Sequence, residues 1–243
     1  MKNRQSDISN LFEVLLLLFS AAVLAFAFLM ATKIVPYFKF EPIHGFLGTK
    51  TDQVLGKPHF QVSFYIHIAS SFFVMVAGAL QLLPVLYRQQ PRFHRIVGQI
   101  YVIGILVFAA PSGLGLALYA NGGLSSKVGF TLQCLIWWGL TYQAWQLARK
   151  KQWEQHAAAM LCSLAVTLAA MSLRLESYWM VQLFDTKPIE TYVTVTWLSW
   201  VGNLIIAYTL IQLGWPVWMM RAFFGGKESG IGQVASVQKD ASV

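Results

Sequence analysis

The sequence predicts an all-α membrane protein, a six-transmembrane-helix bundle with its N-terminus and C-terminus both cytoplasmic. Three observations carry this expectation. Of 243 residues, 56% are hydrophobic and only 12% are charged, with a mean hydropathy of +0.55. Soluble domains carry roughly a quarter charged residues, so a water-soluble globule, a disordered chain and a nucleic-acid arm are excluded. Second, six segments reach the ~20 apolar residues that cross a hydrocarbon core of about 30 Å. Third, the basic residues collect on alternate connections, so the net charge of +8 is an orientation signal rather than a nucleic-acid footprint.

The expected spans are Leu11 to Val35, Val62 to Leu86, Ile96 to Tyr119, Gly129 to Leu147, Ala157 to Met180 and Tyr192 to Met219. Barrel strands would alternate polar and apolar residues in units of about ten, and none do. The first segment is about twice a secretion-signal core, and Lys33 closes it with no small-residue cleavage site, so it reads as an anchor. With the N-terminus inside, eleven basic residues lie inside and six outside, and every arginine except Arg174 falls on the inner side. The turns 87–95 and 148–155 are short and basic. The first outer loop, Pro36 to Gln61, is long and rich in Pro and Gly, with lid and mobile loop equally open. Residues 225–243 read as a disordered cytoplasmic tail, and 1–224 as one transmembrane domain. Cys134 and Cys162 lie within apolar runs and suggest neither a disulfide nor a metal pair.

Ionisable residues within spans are functional candidates by default. His67 lies about 9 Å into the second helix. His94 and His156 open the third and fifth helices from the inner side, and Arg174 and Glu176 lie toward the outer end of the fifth. His156, Met160, Ser163, Thr167, Met171 and Arg174 follow three- and four-residue steps, so His156 and Arg174 share a face about 27 Å apart. His94, Gly98, Tyr101, Ile105 and Ser112 do likewise, as do His67, Ser71, Val74, Gly78 and Gln81. Ordinary helix packing accounts for the small residues on these faces, and for the histidines only in part. Both inner turns place a base six residues before a helix-opening histidine (Arg88 before His94, Lys150 before His156), a weak parallel repeat.

The stretch His67 … Gly78-Ala79-Leu80-Gln81 … Arg88 … Pro91-Arg92-Phe93-His94-Arg95-Ile96-Val97-Gly98-Gln99-Ile100-Tyr101 resembles the bacterial predicted-membrane-protein family catalogued as domain of unknown function 2306. Gly122-Gly123 before Gly129-Phe130, and His156 with Leu173-Arg174, extend the likeness over roughly 60–174. Ala157–Met160 departs from the family's basic, Trp-containing stretch. The resemblance implies a bacterial inner-membrane topology and a residue set, without a reaction.

Three chemistries follow. A b-type haem could take His94 and His156 as axial ligands, with Gly98 making room and Arg95 or Arg92 pairing with the propionates. That arrangement is similar to one half of the transmembrane di-haem cytochromes of the ascorbate-reducing kind, and implies a membrane redox partner. A second haem lacks ligands, since only the loop residues His44 and His59 could partner His67. A metal could use His94, His156 and Glu154, although residues two apart on a helix diverge. Alternatively, His67, Gln81, Tyr101, Arg174 and Glu176 line a polar cavity in a non-enzymatic transporter, sensor or scaffold. No Ser-centred nucleophile elbow appears, and partners beyond the lipid bilayer, homo-oligomers included, are open.

Overall fold

The computed structural model describes residues 2–39 and 45–224. The proposed tail at 225–243 and His44 lie outside the described residues. Every regular element among them is helical. α1 (Lys2–Ile34) leads through a 3₁₀ turn, Val35–Lys39, to the loop, which carries a second 3₁₀ turn, Leu47–Thr49, and the short α2 (Asp52–Leu55). α3 (Pro58–Gln81) is followed by α4 (Pro84–Gln89) and α5 (Pro91–Ile103). A π-helical turn, Gly104–Ala109, joins α5 to α6 (Ala110–Ala117). Then come α7 (Gly123–Arg149), α8 (Trp153–Thr167), α9 (Ala169–Phe184), α10 (Pro188–Gln212) and α11 (Trp215–Phe224).

Four of these stretches are long and apolar enough to cross a membrane: 10–38, 58–81, 91–117 and 188–212. A fifth forms if α8 and α9, bent by 45° at Leu168, count as one broken span. The expected fourth span corresponds to the 27-residue α7, which is less apolar and is not among these stretches. Its buried face carries Ser126 and Thr141, which hydrogen-bond to neighbouring helices. The expected sixth span is shorter than the sequence suggests. Gly214, at φ 88°, breaks the chain after Gln212. α11 then folds across one end of the bundle, where Trp215 and Trp218 pack edge-on against Phe12 of α1. The start of α1 and the chain after α10 therefore meet at the same end. We call it the basic end, since Arg88 pairs there with Glu13.

Proline shapes the starts of these elements. Pro58, Pro84, Pro91 and Pro188 all occupy first-turn positions, where the missing N–H costs nothing. Pro111 is different, because it sits inside a span. The π-turn accommodates its ring, and the Ala110 N–H bonds back to Ile105 O across five residues. The next bond of that pattern would need an N–H at position 111, which proline lacks. Trp138 of α7 supplies it instead, its Nε1–H donating to Leu106 O at 3.1 Å. A side chain from a neighbouring helix thus satisfies a carbonyl at membrane depth, as lipid requires.

The core runs along the contacts of α3, α5, α6, α7 and α8, with Val74, Tyr101, Ile105 and Val166 among its buried members. The outside of the bundle carries exposed Leu15, Phe28, Phe73, Ile103, Val107 and Ile205, among others, as a lipid-facing surface demands. At the opposite end the described part of the long loop is folded down. The Phe46 N–H donates to Tyr37 Oη at 2.9 Å, and the Tyr65 hydroxyl donates to Tyr37 O at 2.9 Å. Lys50 Nζ donates to Tyr119 O at 2.6 Å and to Asn121 Oδ1 at 2.7 Å. Between the two open readings of this loop, its described part is a docked cap.

Burial, with Lys127 nearby, lowers the Lys50 ammonium to a pKa of about 8 from its ordinary 10.5. The folded state then holds this proton less tightly than the unfolded chain, so stability rises with pH between those two values. The midpoint of thermal unfolding, measured against pH as wild type minus Lys50→Met, is expected to climb from pH 8 toward 10. A flat difference would show that the cap is indifferent to this charge.

Candidate functional site

The polar interior begins at Tyr101, whose side chain is fully buried. It sits nearly three turns into the span that opens at Pro91, on the face toward α8. Around it stand Trp137 and Thr141 of α7 and Ser163 and Thr167 of α8, all buried. Tyr101 Oη lies 2.9 Å from Ser163 Oγ and 2.8 Å from Thr167 Oγ1. Trp137 Nε1 lies 3.0 Å from Thr167 Oγ1, and Thr141 Oγ1 is 2.7 Å from Ser163 Oγ and 2.8 Å from Trp137 O.

One proton order satisfies all five contacts with each donor used once. The Trp137 indole, which can only donate, gives to Thr167; Thr167 gives to Tyr101, Tyr101 to Ser163, and Ser163 to Thr141. Thr141 then gives to the Trp137 carbonyl, which can only accept. The circuit starts and ends on one residue and ties three helices together. Sequence periodicity had put Tyr101, Ser163 and Thr167 on the right faces, but Trp137 and Thr141 carried no signal beyond lying in an apolar helix.

Seven residues toward the basic end on the same two helices, about 10.5 Å away, lie His94 and His156. Because the Tyr101–Ser163 contact fixes the register of these parallel helices, the two histidines share a layer. His156 Nδ1–H donates to Ala144 O at 2.8 Å, and its ring meets Trp153 edge-on. The His94 ring is held edge-on by Tyr87 and Phe223, with centroids 5.2 and 5.4 Å away. Gln81 belongs to this layer too, its amide donating to His94 O at 2.7 Å. Arg95 is exposed at the same end.

The other candidates lie apart. His67 is fourteen residues from Gln81 along α3, about 21 Å. Its Nδ1–H donates to Ala109 O at 2.9 Å, at the end of the π-turn. Gly113 of α6 lies where His67 and Cys134 meet it, and a Cβ there would come within 2.8 Å of Cys134 Sγ. Arg174 Nη1 donates back to Ala170 O at 2.6 Å, and the guanidinium stands 6.0 Å from the Phe26 ring centre. Glu176 makes no ion pair with Arg174 among the described residues, and its Oε2 is buried without a hydrogen-bond partner. Tyr101, His94, His156 and Gln81 are therefore brought together along one column, while His67, Arg174 and Glu176 are not part of it.

A second device escaped the sequence altogether. Three residues before the 45° break at Leu168 lies the Ala165 carbonyl. Asn203 of α10 donates its amide to that carbonyl at 3.0 Å, and its own Oδ1 accepts from Ser172 Oγ at 2.9 Å. One side chain bridges both halves of the broken span. A lone Asn between Gly202 and Leu204 in an apolar run was the available signal.

The haem reading can be tested on the glycines that would have to open its slot. A Cβ on Gly98 would meet the Gln81 amide at 3.5 Å, and one on Gly78 would meet Tyr101 and Leu164 at 3.0 Å. Both glycines face packed side chains, and neither supports a slot for a macrocycle between His94 and His156. The metal reading needs a third ligand. Among the described residues no group of three or more His, Cys, Asp or Glu side chains is placed to hold an ion.

A family model described as predicted membrane protein (DUF2306) matches residues 64–211, more than half of the chain. The chain belongs to the DUF2306 family. The match reaches beyond the stretch that first suggested it and takes in α9 and most of α10, so the broken span and Asn203 both lie within the DUF2306 region. No curated protein and no solved structure matches the chain.

Two outcomes are expected. Tyr101→Phe removes the circuit's central hydroxyl and should destabilise the protein in detergent by about 1–2 kcal/mol, measured by chemical unfolding. Protein purified after expression with ample haem should show no Soret band in oxidised or dithionite-reduced spectra. A band that disappears in His94→Ala would overturn the fit argument.

Proposed function

We propose that this membrane protein is a small non-enzymatic transporter whose moving part is the outer half of the broken fifth span. In this reading α1, α3, α5 with α6, α7, α8 with α9, and α10 are six spans in a bacterial inner membrane. The basic end is cytoplasmic, following the excess of Lys and Arg there.

The observation that carries the proposal is the unequal anchoring of the two halves. α8 is fixed by the Tyr101 circuit and buries Ala159, Ser163, Leu164, Ala165, Val166 and Thr167. α9, beyond the break, buries only Ala169. An arm held by few fully buried side chains leaves less packing behind when it separates from the bundle, and discontinuous spans are what transporters build their sites from. Asn203 is the latch, because its two bonds are the polar link from the joint to α10. The His94–His156 layer lies on the fixed side and reads as part of the static frame.

The test is a distance measurement in nanodiscs. Spin labels at Lys127→Cys on α7 and Leu183→Cys on α9, with Cys134 and Cys162 replaced by Ala, should report two populations. Asn203→Leu should enrich the longer one. A single narrow distance unchanged by Asn203→Leu would overturn the proposal.

A further inference from the structure

Four buried side-chain atoms among the described residues have no hydrogen-bond partner: Gln133 Oε1, Glu176 Oε2, Ser199 Oγ and Trp200 Nε1. They come from three helices, and contacts on either side place all four in one layer. α7 and α10 run parallel. Gly129 of α7 faces Thr196 and Trp197 of α10, and further along Trp137 and Leu204 belong to one packed cluster. Gln133 lies four residues past Gly129, as Trp200 lies four past Thr196, so these two share the layer between. α9 and α10 run antiparallel. Ser172 bonds Asn203, and Thr186, just past the end of α9, lies 2.6 Å from Thr191. Four residues on from Ser172 is Glu176, and four back from Asn203 is Ser199. Both helical registers converge on the same turn of α10.

That turn lies eleven to twelve residues from Pro188, roughly 17 Å along the helix and therefore near the middle of a ~30 Å core. Ser199 is completely buried and Trp200 is 5% exposed, whereas Gln133 and Glu176 are half-buried residues whose oxygens Oε1 and Oε2 point inward. Unsatisfied polar atoms at this depth each cost free energy. Four in one layer, with none elsewhere among the described residues, mark a place built to receive something polar.

The donor set names its class. Glu176 supplies one carboxylate, and Gln133 Oε1 and Ser199 Oγ supply two neutral oxygens, so the ligands are hard oxygens. The layer's one formal charge is negative. A monovalent cation brings the site to neutrality, whereas a divalent ion would leave an uncompensated charge in lipid. The Trp200 indole can only donate, so it would serve a carboxylate oxygen or a water carried by the ion. Thiol and imidazole, which a softer metal would prefer, are absent from the set.

We propose that Gln133, Glu176 and Ser199 form an intramembrane binding site for a small alkali cation, with Trp200 orienting the carboxylate or an ion-borne water. The site rests on the transport reading for its use, because Glu176 rides on α9, but not for its existence.

The experiment uses the full chain in detergent. The midpoint of thermal unfolding is followed as LiCl, NaCl or KCl replaces choline chloride at constant ionic strength and pH. A saturable rise with at least one alkali ion and none with choline is expected. Glu176→Gln should abolish that rise, with a midpoint in choline at or above that of the wild type in choline, since the uncompensated carboxylate is gone. Ser199→Ala should weaken the apparent affinity by about tenfold. Superimposed curves for all salts, or an undiminished rise in Glu176→Gln, would overturn the site. So would a response to pH with none to any alkali ion. If the ion raises the midpoint but leaves the α7–α9 spin-label distances unchanged, the site stands and the transport reading falls.

Discussion

The hydrogen-bonded circuit that leaves the Trp137 indole and returns to the Trp137 carbonyl through Thr167, Tyr101, Ser163 and Thr141 sets the geometry of this bundle. In lipid there is no hydrophobic drive to press helices together, so packing and interhelical hydrogen bonds determine which faces meet. This circuit fixes the rotation and the register of α5, α7 and α8 at once. From that follow the shared depth of His94 and His156 and the side on which the broken span leaves the core. Individually such bonds contribute modestly in a membrane, on the order of 0.6 kcal/mol. Their weight here is specificity, since sliding α5 or α8 by one turn would leave several hydroxyls unpaired in hydrocarbon.

Two irregular places share a solution. Pro111 deprives Leu106 of a backbone donor, and Trp138 provides one. Beside the break at Leu168, Asn203 donates to the Ala165 carbonyl. In each case a side chain from a neighbouring helix serves a backbone carbonyl next to the irregularity, as a membrane helix that departs from regular geometry requires. The irregularity is therefore shared between two helices, and neither bend survives in isolation from its partner.

Much of this was legible in the sequence, and the limits are physical. Hydropathy found the apolar runs because lipid imposes a simple length rule, and the shared layer of His94 and His156 followed from both histidines opening parallel spans. Gln81 was harder. Its face on α3 was right, but a face does not specify depth, and at the end of a 24-residue helix it serves the basic end and not the neighbourhood of Arg174. The break at Leu168 had no proline or glycine to announce it. Thr167, whose Oγ1 also lies 3.1 Å from Ser163 O, is of the kind that bends helices, but such threonines also occur in straight ones. The short α11 was hidden because Gly214 interrupts an otherwise unbroken hydrophobic run. The glycines near the histidines suggested room for a cofactor, and only coordinates could show that Tyr101, Leu164 and Gln81 fill it.

The direction of the Trp137 circuit has one more consequence. A row of hydroxyls buried between charged ends resembles a wire along which protons hop, and such a wire would collapse a gradient across the membrane. Here the row begins on an indole N–H, which does not release its proton, and ends on a carbonyl, which does not pass one on. In that order the circuit closes on the residue where it began, so the same bonds that align the helices offer no through-going path for a proton.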